Sequence, residues 1–277
     1  MDEDGEFFWT VINAVKDFLV NTFVNVWTQG FNAWSDPNNW HNTAMAAKID
    51  WGLFKGNPLQ ILSRFTWELP QTIAGYMANG AYATVGGVKS VGYYDGVTVT
   101  ETYASGWGGF TLGSFIMGQR GIEADPNNWL FQHEFGHYLQ SRAMGWAYIP
   151  RVAIPSAFSK GDHAFHPVEQ DANSRAFTYF NSQVPGFYQT EEQYQANQRA
   201  GIEKGWNFYQ NPLDVYRIGS ASRGQYLDYH NWEQRDLIYQ LRISAKWYDY
   251  FGWLGGVSGA LGVGFGNTIY YNNKRKK

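Results

Sequence analysis

Apolar positions change their period along the chain, and the changes mark its parts. From residue 6 to 29, Phe8, Val11, Ile12, Val15, Leu19, Phe23 and Val26 recur every three or four positions, which predicts an amphipathic helix. Asn13, Lys16, Asp17, Asn21 and Asn25 interrupt this stretch, so it reads as a helix packed on the protein, not one spanning a membrane. Helical spacing returns over 57–79 and breaks near Pro70. At about residue 80 the texture switches: from Tyr82 to Phe115, β-branched and aromatic residues alternate with glycine. Asp95-Gly96, between VGYY and VTVTETY, is a two-residue hairpin signal, and Gly109 to Gly118 reads as one further strand. The expected class is α+β, an antiparallel sheet leading into a long helix.

That helix is predicted over Pro126 to Met144. Asp125 suits the N-cap, Pro126 the first helical position and Gly145 the stop, with Arg142 in the last turn where the helix dipole favours a cation. The sequence Asp125-Pro126-Asn127-Asn128-Trp129 repeats Asp36-Pro37-Asn38-Asn39-Trp40, which reads as two uses of one helix start; His41 reads as a surface histidine. Residues 146–166, with Pro150 and Pro155, read as irregular. A second helix begins at Pro167 and presents Glu169, Ala172, Asn173, Ala176 and Phe180 on one face. Further helices are expected over 190–204 and 231–250. The Gly-rich segment from 256 reads as a strand or a flexible tail, ending in a solvated Lys-Arg-Lys-Lys. Three parts follow: a helical extension (1–79), a central domain (80–255) and a tail (256–277).

The long helix carries His133-Glu134-Phe135-Gly136-His137. Residues four apart lie above one another on a helix, so His133 and His137 can aim two imidazoles at one metal ion. Glu134 lies about 100° round the helix, within reach of a water on that metal without joining its ligands. This layout points to Zn²⁺ polarising water while Glu134 removes its proton. Gly136 is costly in mid-helix, and close approach of another backbone explains it.

Composition narrows the chemistry. The chain has 277 residues and no cysteine, so a zinc site must use histidine and carboxylate. Its net charge of -3 offers no basic field for nucleic acid. Aromatic content of 18% reads mainly as buried core. The opening MDEDGE is acidic where a secretory signal would be basic, so none is expected in this chain.

Zinc needs a third ligand. A metzincin would carry Gly at 140 and His at 143, where this chain has Gln140 and Ala143. Candidates are Glu169, Asp171, His163 and His166. Glu169 shares its face with Asn173, which suits orientation of a ligand histidine, and with Ala172 and Ala176, small enough for approach to Gly136. Asp171 points about 200° away, beside Ser174 and Arg175, a set suited to solvent or an i, i+4 ion pair.

HEFGH followed by Glu169-Gln170-Asp171-Ala172-Asn173 resembles the gluzincin metallopeptidases, many of which have Asp where Asn173 stands. Over roughly residues 90–250, the stretches GGFTLGSFIMGQ, IEADPNNWLFQHEFGHYLQSRAMGWAYIPRVAIPS, HPVEQDANSRAFTYFN and KGWNFYQNPLDVYRIG resemble predicted metallopeptidase domains at the C-termini of Rhs-repeat proteins of Bacteroidetes. The resemblance implies a zincin-like fold and peptide hydrolysis, with pairing of extended substrate to the strand at Phe110, Thr111, Leu112, Gly113 and Ser114. It also implies export as the C-terminal part of a larger secreted or surface protein, a toxin role and an immunity partner. His133, His137 and Glu169 are thus the expected metal ligands, Glu134 the general base and Asn173 the support of a ligand. His166, His163, Tyr138 and Arg175 are the candidate donors to the transition state. The rival classes are a binding module with structural zinc and a zinc hydrolase acting on a non-peptide bond.

Overall fold

Asp95 and Gly96 both take positive φ, 37° and 80°, and this two-residue turn folds Val88–Tyr94 (β1) antiparallel onto Val97–Thr102 (β2). The structure, a computed structural model, describes residues 37–160, 163, 166–184, 186–202, 205–207 and 242–274. The helices expected over 6–29 and over most of 231–250, and the last three residues, lie outside the described residues.

The segment expected as one strand from Gly109 to Gly118 is a hairpin. Gly109–Leu112 (β3) and Phe115–Gly118 (β4) pair antiparallel around Gly113-Ser114, with Gly113 at φ 61°. That turn also changes the sheet. β4 lies parallel to β2, and the order is β1-β2-β4-β3, so the sheet is mixed where an antiparallel one was expected. Among the described residues β3 is an outer strand.

Helices cover both faces, and β2 is accordingly buried at all six positions. On one side lie Pro37–Gly52 (α1), Pro58–Arg64 (α2) and Leu69–Thr84 (α3), with Met45, Ile49 and Ala83 meeting Val88, Val91 and Phe115. The break in this region falls before α3, and Pro70 sits in its first turn, where no amide donor is needed. On the other side Trp129–Met144 (α4) and Pro167–Gln183 (α6) bury Phe131, Phe135 and Phe180 against Val97, Val99 and Ile116.

α4 starts three residues later than expected. Asn128 is its cap, accepting from the Phe131 amide at 3.0 Å, while the Asp125 carboxylate is occupied by the Asn127 amide at 2.8 Å. The same five letters start α1 at Pro37, so the repeat does not impose one boundary.

Residues 145–157 form a 3₁₀ turn (Gly145–Ala147), a π turn (Ile149–Ala153) and a short helix, α5 (Ile154–Ala157). After Tyr188–Gln189 (β5), Glu191–Arg199 (α7) and Trp206–Asn207 (β6), the described chain ends in Trp247–Phe251 (α8) and Gly256–Lys274 (α9). α9 corrects the expected strand or tail. It buries Ala260, Asn267 and Tyr271, and Asn267 donates to the Pro150 carbonyl at 2.7 Å. No helix among the described residues is long and apolar enough to cross a membrane.

The helices α4 and α6 meet at Gly136, where a Cβ would lie 2.1 Å from the Ala172 carbonyl oxygen. Gly136→Ala forces the two helices apart. We expect a loss of about 1–3 kcal/mol in urea unfolding. Wild-type stability in this variant would show that the contact sets no limit.

Candidate metal centre

Two helices supply the site. His133 and His137 stand one turn apart on α4, and Glu169 faces them from the first turn of α6. Glu169 Oε2 lies 2.9 Å from His137 Nε2 and 3.3 Å from His133 Nε2. Donor atoms of these three residues fall within 4.8 Å of one another, so the group could hold a metal ion. The other oxygen of Glu169 is buried and has no hydrogen-bond partner among the described residues. A buried carboxylate oxygen without a donor fits a cation.

The electrostatics point the same way. Burial alone would raise the Glu169 carboxyl, but the charges of His163 and His137 and hydrogen bonds from His133 and His137 outweigh it, holding the group well below the usual carboxylate range. Burial lowers both imidazoles. For His133 the hydrogen bond to Glu169 and the charges of Glu134 and Glu169 prevail, raising it to about 9; His137 is also raised, chiefly by the Glu169 charge. The carboxylate thus favours protonated imidazoles, and binding of a metal ion by this group would release those protons.

The nitrogens facing away from Glu169 are both held. Asn173 Oδ1 is 2.6 Å from His133 Nδ1, and Gln140 Oε1 is 2.8 Å from His137 Nδ1. The first contact was anticipated from the helix face. The second was not, although Gln140 lies three residues beyond His137 on the same helix.

Glu134 is buried beside the group without joining it. Thr111 Oγ1 lies 2.7 Å from Glu134 Oε2 and 3.0 Å from its carbonyl oxygen. A Cβ at Gly109 would come within 2.8 Å of Glu134 Oε1, so β3 passes directly over this carboxylate. Tyr148 donates to the Thr111 carbonyl at 2.9 Å. Burial, and then the charges of Glu134 and Glu169, push its phenol well above the usual range, so it stays protonated.

Of the four candidate donors, the structure brings His163 to the group. Its Nε2 is 3.5 Å from Glu169 Oε2, and its Nδ1 is 2.6 Å from Ser159 Oγ. Tyr138, one residue past His137, is turned into the core and packs on Phe135. Arg175 is engaged elsewhere, donating to Asp171 at 2.8 Å and to the Ile243 carbonyl at 3.1 Å. His166 caps the start of α6 with its ring 5.4 Å from that of Tyr271.

The proposed substrate strand divides as well. Phe110, Thr111 and Leu112 lie on β3, whereas Gly113 and Ser114 form the turn, and Ser114 accepts from Arg64 Nε at 2.7 Å. The Gly108 carbonyl bonds the Gln119 amide at 2.8 Å, and alternation then turns the backbones of Gly109 and Thr111 away from β4.

Asp171 requires a correction. It forms the expected i, i+4 pair with Arg175 but is fully buried, not solvent-facing. Comparison with protein-family models, curated proteins and solved structures gives no match to this chain.

The two carboxylates of α6 therefore separate by consequence. Glu169→Ala should reduce metal stoichiometry from one towards zero in titration of the purified protein. Asp171→Ala strips a buried partner from Arg175 and should cost about 3–5 kcal/mol in urea unfolding. Full metal binding by Glu169→Ala would remove it from the ligand set.

Proposed function

We propose that the protein is a zinc metallopeptidase of the gluzincin type, with His133, His137 and Glu169 as ligands and Glu134 as general base. One observation carries the reading: Glu134 is buried against the three-residue group, held by Thr111, yet outside the group itself. Two imidazoles and one carboxylate, with no thiolate, suit Zn²⁺. Bound there, zinc would supply a Lewis acid and lower the pKa of water towards neutrality.

The chain's own residues would do the rest. Glu134 Oε1 or Oε2 accepts the proton of the attacking water and returns it to the leaving amine, with Thr111 Oγ1 fixing the carboxylate meanwhile. His163, the partly exposed neighbour of buried Glu169, is the donor best placed to meet negative charge on the substrate carbonyl. Gly109 supports an extended peptide as substrate, because its outward backbone adjoins Glu134 on an outer strand. Thr111 contributes less, since Tyr148 occupies its carbonyl.

A purely structural zinc gives no role to Glu134, and a non-peptide bond gives none to the outer strand. The zincin-like fold, the toxin role, export within a larger protein and an immunity partner remain proposals that rest on the quoted motif block.

Glu134→Gln keeps the side chain's shape and leaves the ligands intact. It should bind zinc like the wild type and hydrolyse a mixed peptide library at least about 10²-fold more slowly, the chelated wild type serving as the blank. Equal rates for variant and wild type would remove the general-base role, and a wild type indifferent to chelator would remove the zinc.

A further inference from the structure

Gln140 faces His137 with one end of its amide and two acceptors with the other. Its nitrogen end lies 2.8 Å from the Val168 carbonyl and 2.7 Å from Asp171 Oδ2. A backbone carbonyl can only accept, so the nitrogen must be the end that points there. The oxygen therefore faces His137 Nδ1 at 2.8 Å. An amide oxygen can only accept, so His137 must carry a proton on Nδ1, leaving Nε2 to face Glu169. Asp171 is held in turn by Arg175 Nε at 2.8 Å and the Ile243 amide at 3.0 Å. All of Gln140, Asp171 and His137 are buried, so water cannot readily replace these partners.

We infer that Gln140 is a positioning residue that selects the nitrogen His137 presents to the metal, and that Asp171 acts on the metal through Gln140. The inference rests on the metal centre proposed above and adds to it a chain of three side chains, His137, Gln140 and Asp171, running from the site to the segment at Ile243. Asp171 thereby gains a role in metal affinity despite facing away from the ligands. The second amide, Asn173, serves His133, but among the described residues no acceptor-only partner at its nitrogen fixes its orientation in the same way.

The test compares zinc dissociation constants of the full chain, measured by competition with a chromophoric chelator. Gln140→Met removes the acceptor at similar volume and should weaken zinc binding about 10–100-fold. Gln140→Glu keeps an oxygen facing His137 but turns another oxygen on the Val168 carbonyl and Asp171. It should recover most of the zinc affinity while unfolding at a lower temperature than Gln140→Met. A merely structural Gln140 reverses the zinc order alone, with the glutamate variant worse in both measurements. Asp171→Asn should weaken zinc on its own and add nothing in the Gln140→Met background. Independently of any variant, the imidazole ¹⁵N spectrum of the zinc-loaded wild type should show His137 protonated at Nδ1 and metallated at Nε2. Unchanged affinity in Gln140→Met, additive effects of the two variants, or metal on Nδ1 would each overturn the inference. A wild type that binds no zinc overturns it together with the proposed function. Zinc binding without hydrolysis overturns the peptidase reading alone.

Discussion

The constraint on which the site depends is the contact between two helices at Gly136 and Ala172. A single methyl at 136 would collide with the Ala172 carbonyl, so the helix axes can approach only because that side chain is absent. The meeting of His133 and His137 with Glu169 and Asn173 follows from this distance. Glu169 lies on the turn before Ala172 and Asn173 directly after it, while His133 and His137 lie one turn apart astride Gly136. Bringing 136 to 172 therefore brings a carboxylate and an amide to two imidazoles in one step. The mid-helix cost of glycine, about 1 kcal/mol, is what this close approach of the two helices requires.

Electrostatics reinforce the packing but do not create it. Glu169 is fully buried, and a buried carboxylate alone is unfavourable. Imidazoles at 2.9 and 3.3 Å from one oxygen offset that cost, and the same atoms are those a cation would use. The outer side is fixed by different means. Gln119 Oε1 collects the amides of Gly106, Trp107 and Gly108 at 2.7, 3.1 and 3.3 Å, fastening the loop that leads into β3. The strand over Glu134 is thus held at one end by Gln119 and at Thr111 by Tyr148.

What the sequence disclosed, and what it hid, divides along physical lines. Helical periodicity is local, so His133, His137, the choice of Glu169 over Asp171 and the partnership of Asn173 were all legible from spacing along single helices. Asp95-Gly96 likewise announced its turn. Gly113-Ser114 did not, because a strand that folds back on itself keeps the same alternation, and with it went the parallel pairing of β2 and β4. The start of α4 was misplaced because Asp125 and Asn128 both suit a cap, and the choice depends on which side chain a neighbouring amide already occupies. Burial of Asp171 was invisible because its partner Ile243 lies 72 residues on. Glycine abundance in 256–274 suggested a weak element, yet packing against the π turn and α5 overrides that propensity in α9.

Neutral amides behind both histidines have a consequence for charge. Were a divalent ion held there, its two positive charges would meet Glu169 and Glu134, the two carboxylates of the group and its neighbour, and the buried site would sum to zero. An aspartate at 173 would leave one negative charge without a counterpart in a place that water barely reaches. Amides also hold the imidazoles by direction more than by charge, so the two histidines stay less basic than a carboxylate would make them. On this reading Asn173 and Gln140 are matched choices: each orients a histidine, and neither adds a charge that the surrounding protein would have to neutralise.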